Sequence, residues 1–402
     1  MRVCMLTYSF YQNDARVQQY ANALRKKGDT VDVIALRREG RPKFEMVDGV
    51  NVYRIQQRVR DERGPLTYIL RILRFFFHSA LVISRRHIAN PYQLIHVHSV
   101  PDFLVFAALI PKLCGVPVIL DIHDILPEFY SSKFNAPPDS LAFKLMLLVE
   151  RASASFSDHV IIANHLWHER LLSRSVRAEK CTPIRNYPDP LRFVVRPKGR
   201  SDGKFLVMYP GTLNPHQGVD IAIKAFAKIK NQLPNAEFHI YGEGPAKPRL
   251  VVLAAELGLN GSVMFKDLVP IGQIAKLMAD ADLAVVPKRA SSSFGTEAAS
   301  TKVFEFLSLG VPVIVSRTKI DSFYFSDSTV KFFESENVDD LARCMLQLAQ
   351  DQPLRSQLAK NGLEYAQENN WDAKQQDYLR LVDSMVRRSA SMRQTESSEA
   401  GK

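Results

Sequence analysis

The chain has 402 residues, 46% hydrophobic and 24% charged, which is typical of soluble globular proteins and long enough for two domains of roughly 200 residues. This composition excludes a disordered chain, a collagen-like repeat and a disulfide scaffold. The net charge of +11 lies in the first half: residues 1–200 carry 30 Lys and Arg against 18 acidic residues, whereas residues 201–402 carry 23 against 24. The four cysteines lack paired spacing, which predicts neither a zinc site nor disulfides and favours a reducing cytoplasm.

The first half alternates short apolar runs with amphipathic stretches, a pattern that predicts parallel strands separated by helices. The amino terminus predicts a buried strand rather than a signal peptide, because its apolar run is too short. The apolar stretch 66–84 predicts no membrane span, because Arg71 and Arg74 lie in its middle. The predicted strands are 2–7, 30–36, 94–97, 117–121 and 159–163, and the predicted helices are 15–27, 66–85, 102–113 and 142–156.

The same alternation restarts after a polar segment with Pro and Gly, residues 196–203, which predicts a linker. We therefore expect two doubly wound α/β domains in tandem, 1–195 and 204–370, with ligands at the carboxyl ends of their strands. The polar tail 388–402 predicts disorder. In the second half the predicted strands are 205–209, 236–241, 263–265, 283–287 and 313–315, and helices are expected to start near Gly218, Ala246, Ile271 and Ser300.

The basic excess is strongest in residues 51–100, which carry eight basic and two acidic side chains around the aromatic run 75–77. Basic side chains beside exposed aromatics predict contact with an anionic membrane surface. A solvated basic face above a buried helix is the alternative. Nucleic acid is not expected as a partner, because no nucleic-acid module accompanies the charge.

The most informative segment is residues 295–314, where Glu297 and Glu305 are eight positions apart on either side of a predicted helix start at Ser300. Backbone amides at a helix start favour an anion such as a diphosphate. Carboxylates accept hydrogen bonds from hydroxyl pairs, so we expect one to bind a sugar and the other a ribose. Two incidental acids on a surface helix are the alternative.

The E-x7-E spacing followed by F-L-S-L-G-V-P-V-I resembles the donor-site signature of the retaining glycosyltransferases of family 4, which have the GT-B fold. The resemblance extends over residues 1 to about 386. It implies two Rossmann-like domains facing across a cleft and a terminal helix, 371–387, that folds back on the first domain. It also implies a nucleoside diphosphate sugar as co-substrate, no cofactor and no bound metal.

The turn 210–218 resembles the family's glycine-rich diphosphate loop, but Thr212 and Gln217 stand where the family usually places Arg and Lys. Two expected positive charges are therefore missing. Four side chains are candidates to replace them: Lys302, Lys288, Arg289 and Arg16. The resemblance assigns donor binding to Gly211, Thr212, Gln217, Gly242, Lys302 and Glu305, with Glu297 orienting the donor sugar.

In the first half, His123 and Asp124 follow a predicted buried strand and resemble the family's first-domain segment, with His123 at the position of the catalytic-site His. A His at the carboxyl end of a parallel strand points to the ligand edge. His96 and His98 are expected on opposite faces of another strand, so that at most one reaches the cleft.

These features predict a retaining, metal-independent hexosyltransferase acting on a hydroxyl of a glycan or lipid-linked acceptor in polysaccharide biosynthesis. We expect it in the cytoplasm, peripheral at the inner face of the membrane. Two alternatives stay open: a sugar-nucleotide epimerase of the same fold, and a non-catalytic partner subunit that has lost its diphosphate-binding charges.

Overall fold

The computed structural model describes residues 1–58, 65–134, 137–291 and 293–400, which form two α/β units. The first unit holds Met1–Asn186 together with the chain from Gln375 onward, and the second holds Tyr187–Lys374. Each unit is built on a mainly parallel sheet with helices between the strands. The predicted α/β class with two doubly wound units is therefore confirmed.

The first unit has an eight-stranded sheet in the order β3-β4-β2-β1-β5-β6-β7-β8, in which the β3/β4 pair is antiparallel. Its strands are β1 (Arg2–Thr7), β2 (Thr30–Arg37), β3 (Phe44–Val47), β4 (Val50–Gln57), β5 (Leu94–His98), β6 (Val118–Ile122), β7 (His159–Ile162) and β8 (Cys181–Pro183). Its helices before the second unit are α1 (Ala15–Lys26), α2 (Pro65–Ala89), α3 (Leu109–Leu113), α4 (Leu126–Phe134), α5 (Leu141–Phe156) and α6 (His165–Leu172).

The second unit has a six-stranded parallel sheet in the order β11-β10-β9-β12-β13-β14. Its strands are β9 (Phe205–Pro210), β10 (Ala236–Tyr241), β11 (Val263–Lys266), β12 (Leu283–Val286), β13 (Val313–Ser316) and β14 (Lys331–Phe333). Its helices are α7 (Val219–Ile229), α8 (Lys247–Glu256), α9 (Ile271–Ala279), α10 (Ser293–Glu297), α11 (Thr301–Ser308), α12 (Lys319–Tyr324), α13 (Val338–Gln350) and α14 (Gln352–Glu368), and α15 (Trp371–Ala400) follows them.

The central strands of the first unit are buried on both faces, because helices cover the sheet on each side. Tyr20 of α1 packs against Tyr378 of α15 at a ring-centroid distance of 4.1 Å, so these two helices share one face. Right-handed crossovers place α2, α3 and α5 together on the other face. Helices α2 and α5 both contact the 3₁₀ segment Asp102–Ala108 that precedes α3, where the sequence predicts a continuous helix.

The division between the units lies at Asn186/Tyr187 and not in the predicted linker 196–203. That segment is fixed to the second unit: the Gly199 amide donates to Asp280 Oδ1 at 2.7 Å, and Lys198 pairs with Asp282. Phe193 is buried in the core of the same unit. The polar composition of residues 196–203 therefore reflects surface ion pairs within the second unit rather than a flexible linker.

Helix α15 continues to Ala400, although composition predicts disorder from residue 388 onward; residues 401–402 lie outside the described residues. The helix packs on the first unit, where Ser389 Oγ donates to the Gly115 carbonyl at 2.5 Å. The Arg393 side chain lies over Gly115, close to where a Cβ would stand. This polar segment is helical and not disordered because its side chains Ser389 and Arg393 contact the first unit at Gly115.

Tyr378 anchors α15, because its ring is fully buried and its hydroxyl lies 3.0 Å from His96 Nδ1. We expect Tyr378→Ala to lower the free energy of unfolding by about 3 kcal/mol through the cavity it leaves, and Tyr378→Phe by about 1 kcal/mol through the lost hydrogen bond. Urea denaturation measures both. Arg380→Ala, in an exposed ion pair on the same helix, is the control and should change little.

Candidate active site

A buried carboxylate organises the carboxyl edge of the first sheet. Asp121, the fourth residue of β6, accepts hydrogen bonds from Arg16 Nε at 2.8 Å and Arg16 Nη2 at 2.6 Å. Its Oδ2 also lies 3.0 Å from His98 Nδ1 and 3.0 Å from His123 Nε2. The Asp121 carboxylate therefore orients the rings of His98 and His123 and the guanidinium of Arg16 in the first turn of α1.

The charges in this cluster favour ionised Asp121 and Arg16. Burial opposes the charged form of Asp121, but Arg16 and His123 outweigh it and hold the pKa of Asp121 well below its usual range. Burial likewise disfavours protonated His123, yet the charge of Asp121 and its hydrogen bond raise the pKa of His123 above its ordinary value. For His98, burial dominates and lowers the pKa. His123 is therefore the histidine of this cluster that most readily carries a proton.

His96 and His98 lie on the same face of β5, with ring centroids 4.1 Å apart. The expectation that they face opposite sides is wrong, because side chains two positions apart in a strand point the same way. Both rings are fully buried, and burial lowers the pKa of His96 well below its ordinary value. His96 is thereby a neutral link between the cluster and Tyr378.

His96, His98 and Asp121 have potential ligand atoms within 4.8 Å of one another, the one such group found among the described residues. Both oxygens of Asp121 already accept hydrogen bonds from Arg16. A cation would have to approach beside a buried guanidinium and replace these bonds, at a large electrostatic cost. The donor set therefore fits a hydrogen-bonded ion pair better than a metal.

Arg16 does not have the surroundings of a phosphate ligand. Its side chain is buried, binds Asp121 through two nitrogens and donates from Nη1 to Asn186 Oδ1 at 2.9 Å. The structure therefore opposes the predicted phosphate contact, because moving Arg16 would leave Asp121 as an uncompensated buried charge. Asp124, also predicted at the cleft, is half-buried, and burial raises its pKa.

In the second unit, two glycine turns meet backbone to backbone after β9 and β10. The Gly211 amide donates to the Tyr241 carbonyl at 2.8 Å. A Cβ on Gly242 would lie 1.8 Å from the Gly211 carbonyl oxygen, so no other residue fits there. Gly242 shapes the Gly211 turn through this contact, which is a different role from the predicted direct contact with the donor.

Lys302 lies across the Gly211 turn. A Cβ on Gly211, whose φ is +137°, would lie 2.1 Å from Lys302 Cε. The ammonium nitrogen is 3.4 Å from Gln217 Oε1 and 5.5 Å from the centroid of the Tyr209 ring. Tyr209 Oη in turn donates to the Thr212 carbonyl at 3.0 Å and to Gln217 Oε1 at 3.2 Å. The structure thus brings together four of the predicted donor residues: Gly211, Thr212, Gln217 and Lys302.

The two other cations predicted near this turn are already paired. Lys288 is buried and lies 2.5 Å from the Ala298 carbonyl and 3.1 Å from Asp321 Oδ2. Arg289 binds Asp220 at 2.6 Å and Glu336 at 2.7 Å. The structure therefore opposes both as replacements for the missing charges, because each is neutralised by a carboxylate.

Glu297 and Glu305 lie on two successive helices. Glu297 ends α10 and is buried, with one oxygen 3.3 Å from Lys319 Nζ, and Glu305 lies in the second turn of α11. Ser300 is the N-cap of α11, as predicted from its sequence position. Its Oγ is buried without a hydrogen-bond partner among the described residues.

Burial shifts the ionisation of the helix α11 side chains. It lowers the pKa of Lys302 to about 8, with Lys288 acting in the same direction and Glu305 opposing. It raises the pKa of Glu305, against the effects of Lys302 and Thr301. His216, within the glycine turn, has its pKa lowered by burial and by the charges of Lys302 and Lys288. The charge of Lys302 thus acts on the glycine turn itself, where an anion could bind.

Sequence reasoning missed Asp121, Tyr209 and His216 as residues of these sites. A single carboxylate near the end of an otherwise apolar strand, V-I-L-D-I, is a signal that could have found Asp121. Tyr209 carries no such signal, because an aromatic near the end of a buried strand is ordinary core. Its role follows only from the hydrogen bonds of its hydroxyl.

Two doubly wound units in tandem, the second with a glycine turn under Lys302 and with Glu297 and Glu305 on successive helices, share the fold of the solved GT-B structures. Residues 193–365 match the family model described as Glycosyl transferases group 1, and residues 14–187 match the model described as Glycosyl transferase 4-like domain. Together these matches span most of the sequence. The chain belongs to the glycosyltransferases of family 4 with the GT-B fold.

The chain is 26% identical over 310 residues to an uncharacterised glycosyltransferase of Methanocaldococcus jannaschii, covering 74% of each chain. It is 25% identical over 385 residues to the sulfoquinovosyl transferase of Arabidopsis thaliana, covering 91% of this chain and 68% of that one. Among solved structures, sucrose-phosphate synthase from Thermosynechococcus elongatus has a TM-score of 0.74 at 20% identity, covering 95% of this chain and 99% of its own. HepE of Anabaena in complex with UDP has a TM-score of 0.69 at 18% identity, covering 96% and 100%. Both structures share the fold.

The pairing of Arg16 with Asp121 generates a test. We expect Arg16→Met to lower the free energy of unfolding by about 3–5 kcal/mol, because it leaves a buried carboxylate without its cation. The double variant Arg16→Met/Asp121→Asn should recover part of this loss in chemical denaturation. Nucleoside diphosphate affinity, measured by calorimetry on the folded single variant, should stay unchanged; a large loss would mean that Arg16 binds phosphate after all.

Proposed function

We propose that the protein is a retaining glycosyltransferase that moves a hexose from a nucleoside diphosphate donor to a hydroxyl of a lipid-linked glycan in polysaccharide biosynthesis. The observation that carries the proposal is Lys302, whose ammonium group lies over the Gly211 turn and, among the residues that the structure describes, has the Gln217 amide oxygen at 3.4 Å as its hydrogen-bond acceptor. A positive charge beside close-approaching backbone and the first turn of α11 suits a diphosphate. The lysine takes over the role of the missing Arg and Lys.

In the proposed reaction the bond between the sugar's anomeric carbon and the diphosphate oxygen breaks, and the acceptor oxygen bonds the same carbon on the same face. The acceptor's proton passes to the departing diphosphate. Lys302 stabilises the charge that develops on this leaving group, Glu297 orients the sugar, and Glu305 binds the ribose. His123 borders the transferred sugar. The protein contributes position and electrostatics, without a cofactor or bound metal.

The names of several relatives support a glycan or lipid acceptor. A putative colanic acid glycosyltransferase of Escherichia coli is 25% identical over 39% of this chain. An amylovoran biosynthesis glycosyltransferase of Erwinia amylovora is 23% identical over 38% of this chain. A phosphatidylinositol monomannoside mannosyltransferase of Mycolicibacterium smegmatis matches at 27% identity over 133 residues. The basic excess in residues 1–200 supports a place at the inner, anionic face of the cytoplasmic membrane.

Two other functions make different predictions for the same site. A sugar-nucleotide epimerase would change the donor without transferring the sugar to an acceptor. A non-catalytic partner would bind no donor at all. Two observations support transfer over the second alternative: the Lys302 ammonium group lies over the Gly211 turn, and Glu297 and Glu305 are present on helices α10 and α11.

The test is a panel of nucleoside diphosphate sugars screened by thermal unfolding. A true donor at 100 times its dissociation constant should stabilise the chain by about 2.7 kcal/mol. Incubation with that donor and an extracted lipid-linked glycan should then release nucleoside diphosphate and form an α-linked product from an α-linked donor, seen by NMR. Absence of binding by every donor would favour the non-catalytic partner, and an epimerised donor without product would favour the epimerase.

Substitutions of Glu297 and Glu305 should have different effects on nucleotide affinity and on turnover. Glu305→Ala should weaken nucleotide affinity about tenfold through loss of the ribose contact, whereas Glu297→Ala should chiefly lower kcat, because it acts on the reacting sugar. Calorimetry with nucleoside diphosphate and steady-state kinetics measure the two effects. Glu364→Ala, on α14 of the same unit, is the control. Equal losses of nucleotide affinity in both variants would contradict these roles.

The pKa of about 8 at Lys302 predicts a pH-dependent affinity for nucleoside diphosphate. The lysine is charged below that pH, so affinity should be constant near pH 7 and fall by up to about tenfold per pH unit above 8. Phosphate is already ionised across this range. Lys302→Arg keeps its charge and should show a flat profile, and Lys302→Met should bind weakly at every pH. If the affinity of the wild-type protein for nucleoside diphosphate is constant up to pH 9.5, the diphosphate does not bind at Lys302.

A further inference from the structure

Helix α2 has two apolar stripes on opposite sides, and the first unit covers one of them. Ile72, Phe75 and Ile83 are buried against the unit. The residues of the other stripe lie three, four or seven positions apart, and their side chains are between 38% and 74% exposed. This stripe consists of Leu70, Leu73, Phe77, Leu81 and Ile88. The predicted exposed aromatic run is thus divided, with Phe75 in the core and Phe77 in the open stripe.

Positive charge accompanies the exposed stripe. Residues 65–90 contain no Asp or Glu. Arg74 and Arg85 are exposed and, at about 100° per residue, lie along one flank of the stripe. Arg86 is excluded from this surface, because its guanidinium binds Asp32 at 3.1 Å and Tyr53 Oη at 2.7 Å. The open face of α2 is therefore apolar with a basic edge, the pattern of a helix that lies in a membrane interface.

The neighbouring helices extend this surface. Right-handed crossovers place α3 and α5 on the same side of the sheet as α2, and both carry large apolar side chains in solvent. These are Leu109, Ile110 and Leu113 on α3 and Leu141, Leu145 and Leu148 on α5. We call the exposed apolar side chains of α2, α3 and α5 the leucine face. Three helices with open leucines exceed what scattered surface residues explain.

We infer that the leucine face inserts into an anionic phospholipid bilayer, with α2 lying in the plane of the interface and Arg74 and Arg85 at the level of the lipid phosphates. Charge favours this occupant over a second copy of the chain: a twofold interface pairs a surface with itself, and residues 65–90 offer no Asp or Glu to neutralise Arg74 and Arg85. Anionic lipid neutralises them instead. By length and composition alone, residues Thr67–Ala89 could also cross a membrane. Burial of Ile72, Phe75 and Ile83 in the unit favours the interfacial position.

The inference deepens the proposed function, on which it rests for the identity of the acceptor. Helix α2 follows the carboxyl end of β4 and precedes the amino end of β5, so it starts at the sheet edge that carries Asp121 and His123. An acceptor anchored in the bilayer at the start of α2 therefore emerges beside that edge. Insertion of the leucine face would therefore hold a lipid-borne acceptor at the same edge of the sheet as the Asp121 cluster.

The experiment places a reporter in the leucine face of the full chain. Phe77→Trp is compared with Phe323→Trp, another exposed position, in the second unit, against vesicles of phosphatidylcholine and phosphatidylglycerol with brominated acyl chains. Both native tryptophans, Trp167 and Trp371, are buried and give a constant background. We expect bromine quenching of the Phe77→Trp signal alone. No quenching in vesicle-bound protein, or a lipid-free dimer that shields this position, would overturn the inference.

A second variant tests energetics without the reporter. Leu73→Ser/Phe77→Ser/Leu81→Ser should weaken vesicle binding at least tenfold, whereas Val251→Ser/Val252→Ser, exposed on α8, should leave it unchanged. Arg74→Ala/Arg85→Ala should remove the salt dependence of binding. Nucleotide binding is measured in parallel by thermal unfolding. If the wild-type protein binds no nucleotide, the proposed function is wrong but membrane insertion is unaffected. If the triple variant binds vesicles as well as the wild type does, membrane insertion is wrong but the proposed function is unaffected.

Discussion

The first unit depends on one buried charge. Asp121 has no exposed surface, and a carboxylate in that position costs several kcal/mol unless a cation and hydrogen-bond donors surround it. Arg16 supplies two nitrogens, and this requirement ties the first turn of α1 to β6 across 105 positions of sequence. The same oxygens orient His98 and His123. The ion pair therefore fixes the carboxyl edge that carries the proposed catalytic residue His123, whereas the apolar strands determine only the sheet.

The second unit pairs its cations unequally, and the contrast supports the proposed diphosphate site. Lys288 and Arg289 each bind a carboxylate, so the unit neutralises them internally. Lys302 lies over the Gly211 turn with an amide oxygen at 3.4 Å, and burial already lowers its pKa. An anion bound at this turn, as proposed, would stabilise the charged form of Lys302. The glycine turns fit this reading, because Gly211 and Gly242 approach each other so closely that the loop has little freedom to move away.

The fold was largely predictable from hydropathy, because strands covered on both faces are nearly continuous apolar runs. Four strands were not predicted. Strands β3, β8 and β14 have three or four residues, which carry too little periodicity, and in β4 the third inward-facing position is Arg54, which breaks the apolar alternation. Within the site, the acids and the Gly211 turn follow from spacing, but the choice among Lys302, Lys288 and Arg289 does not. That choice depends on which carboxylates fold back onto each cation. The same limit applies to Arg16, whose partner is distant in sequence, and to the tail, whose helix depends on contacts with Gly115.

Helix α2 shows what composition can establish and where packing must decide. Its hydropathy and length alone allow a membrane-spanning helix, a core helix or an interfacial helix. A spanning helix would require Phe75 and Ile83, now fully buried, to leave the sheet and face lipid, exposing the strands beneath them. A core helix would bury Phe77 and Leu81, which the unit leaves open. The inferred interfacial position satisfies both stripes, because it keeps the inner stripe in the protein core and would cover the outer stripe with lipid.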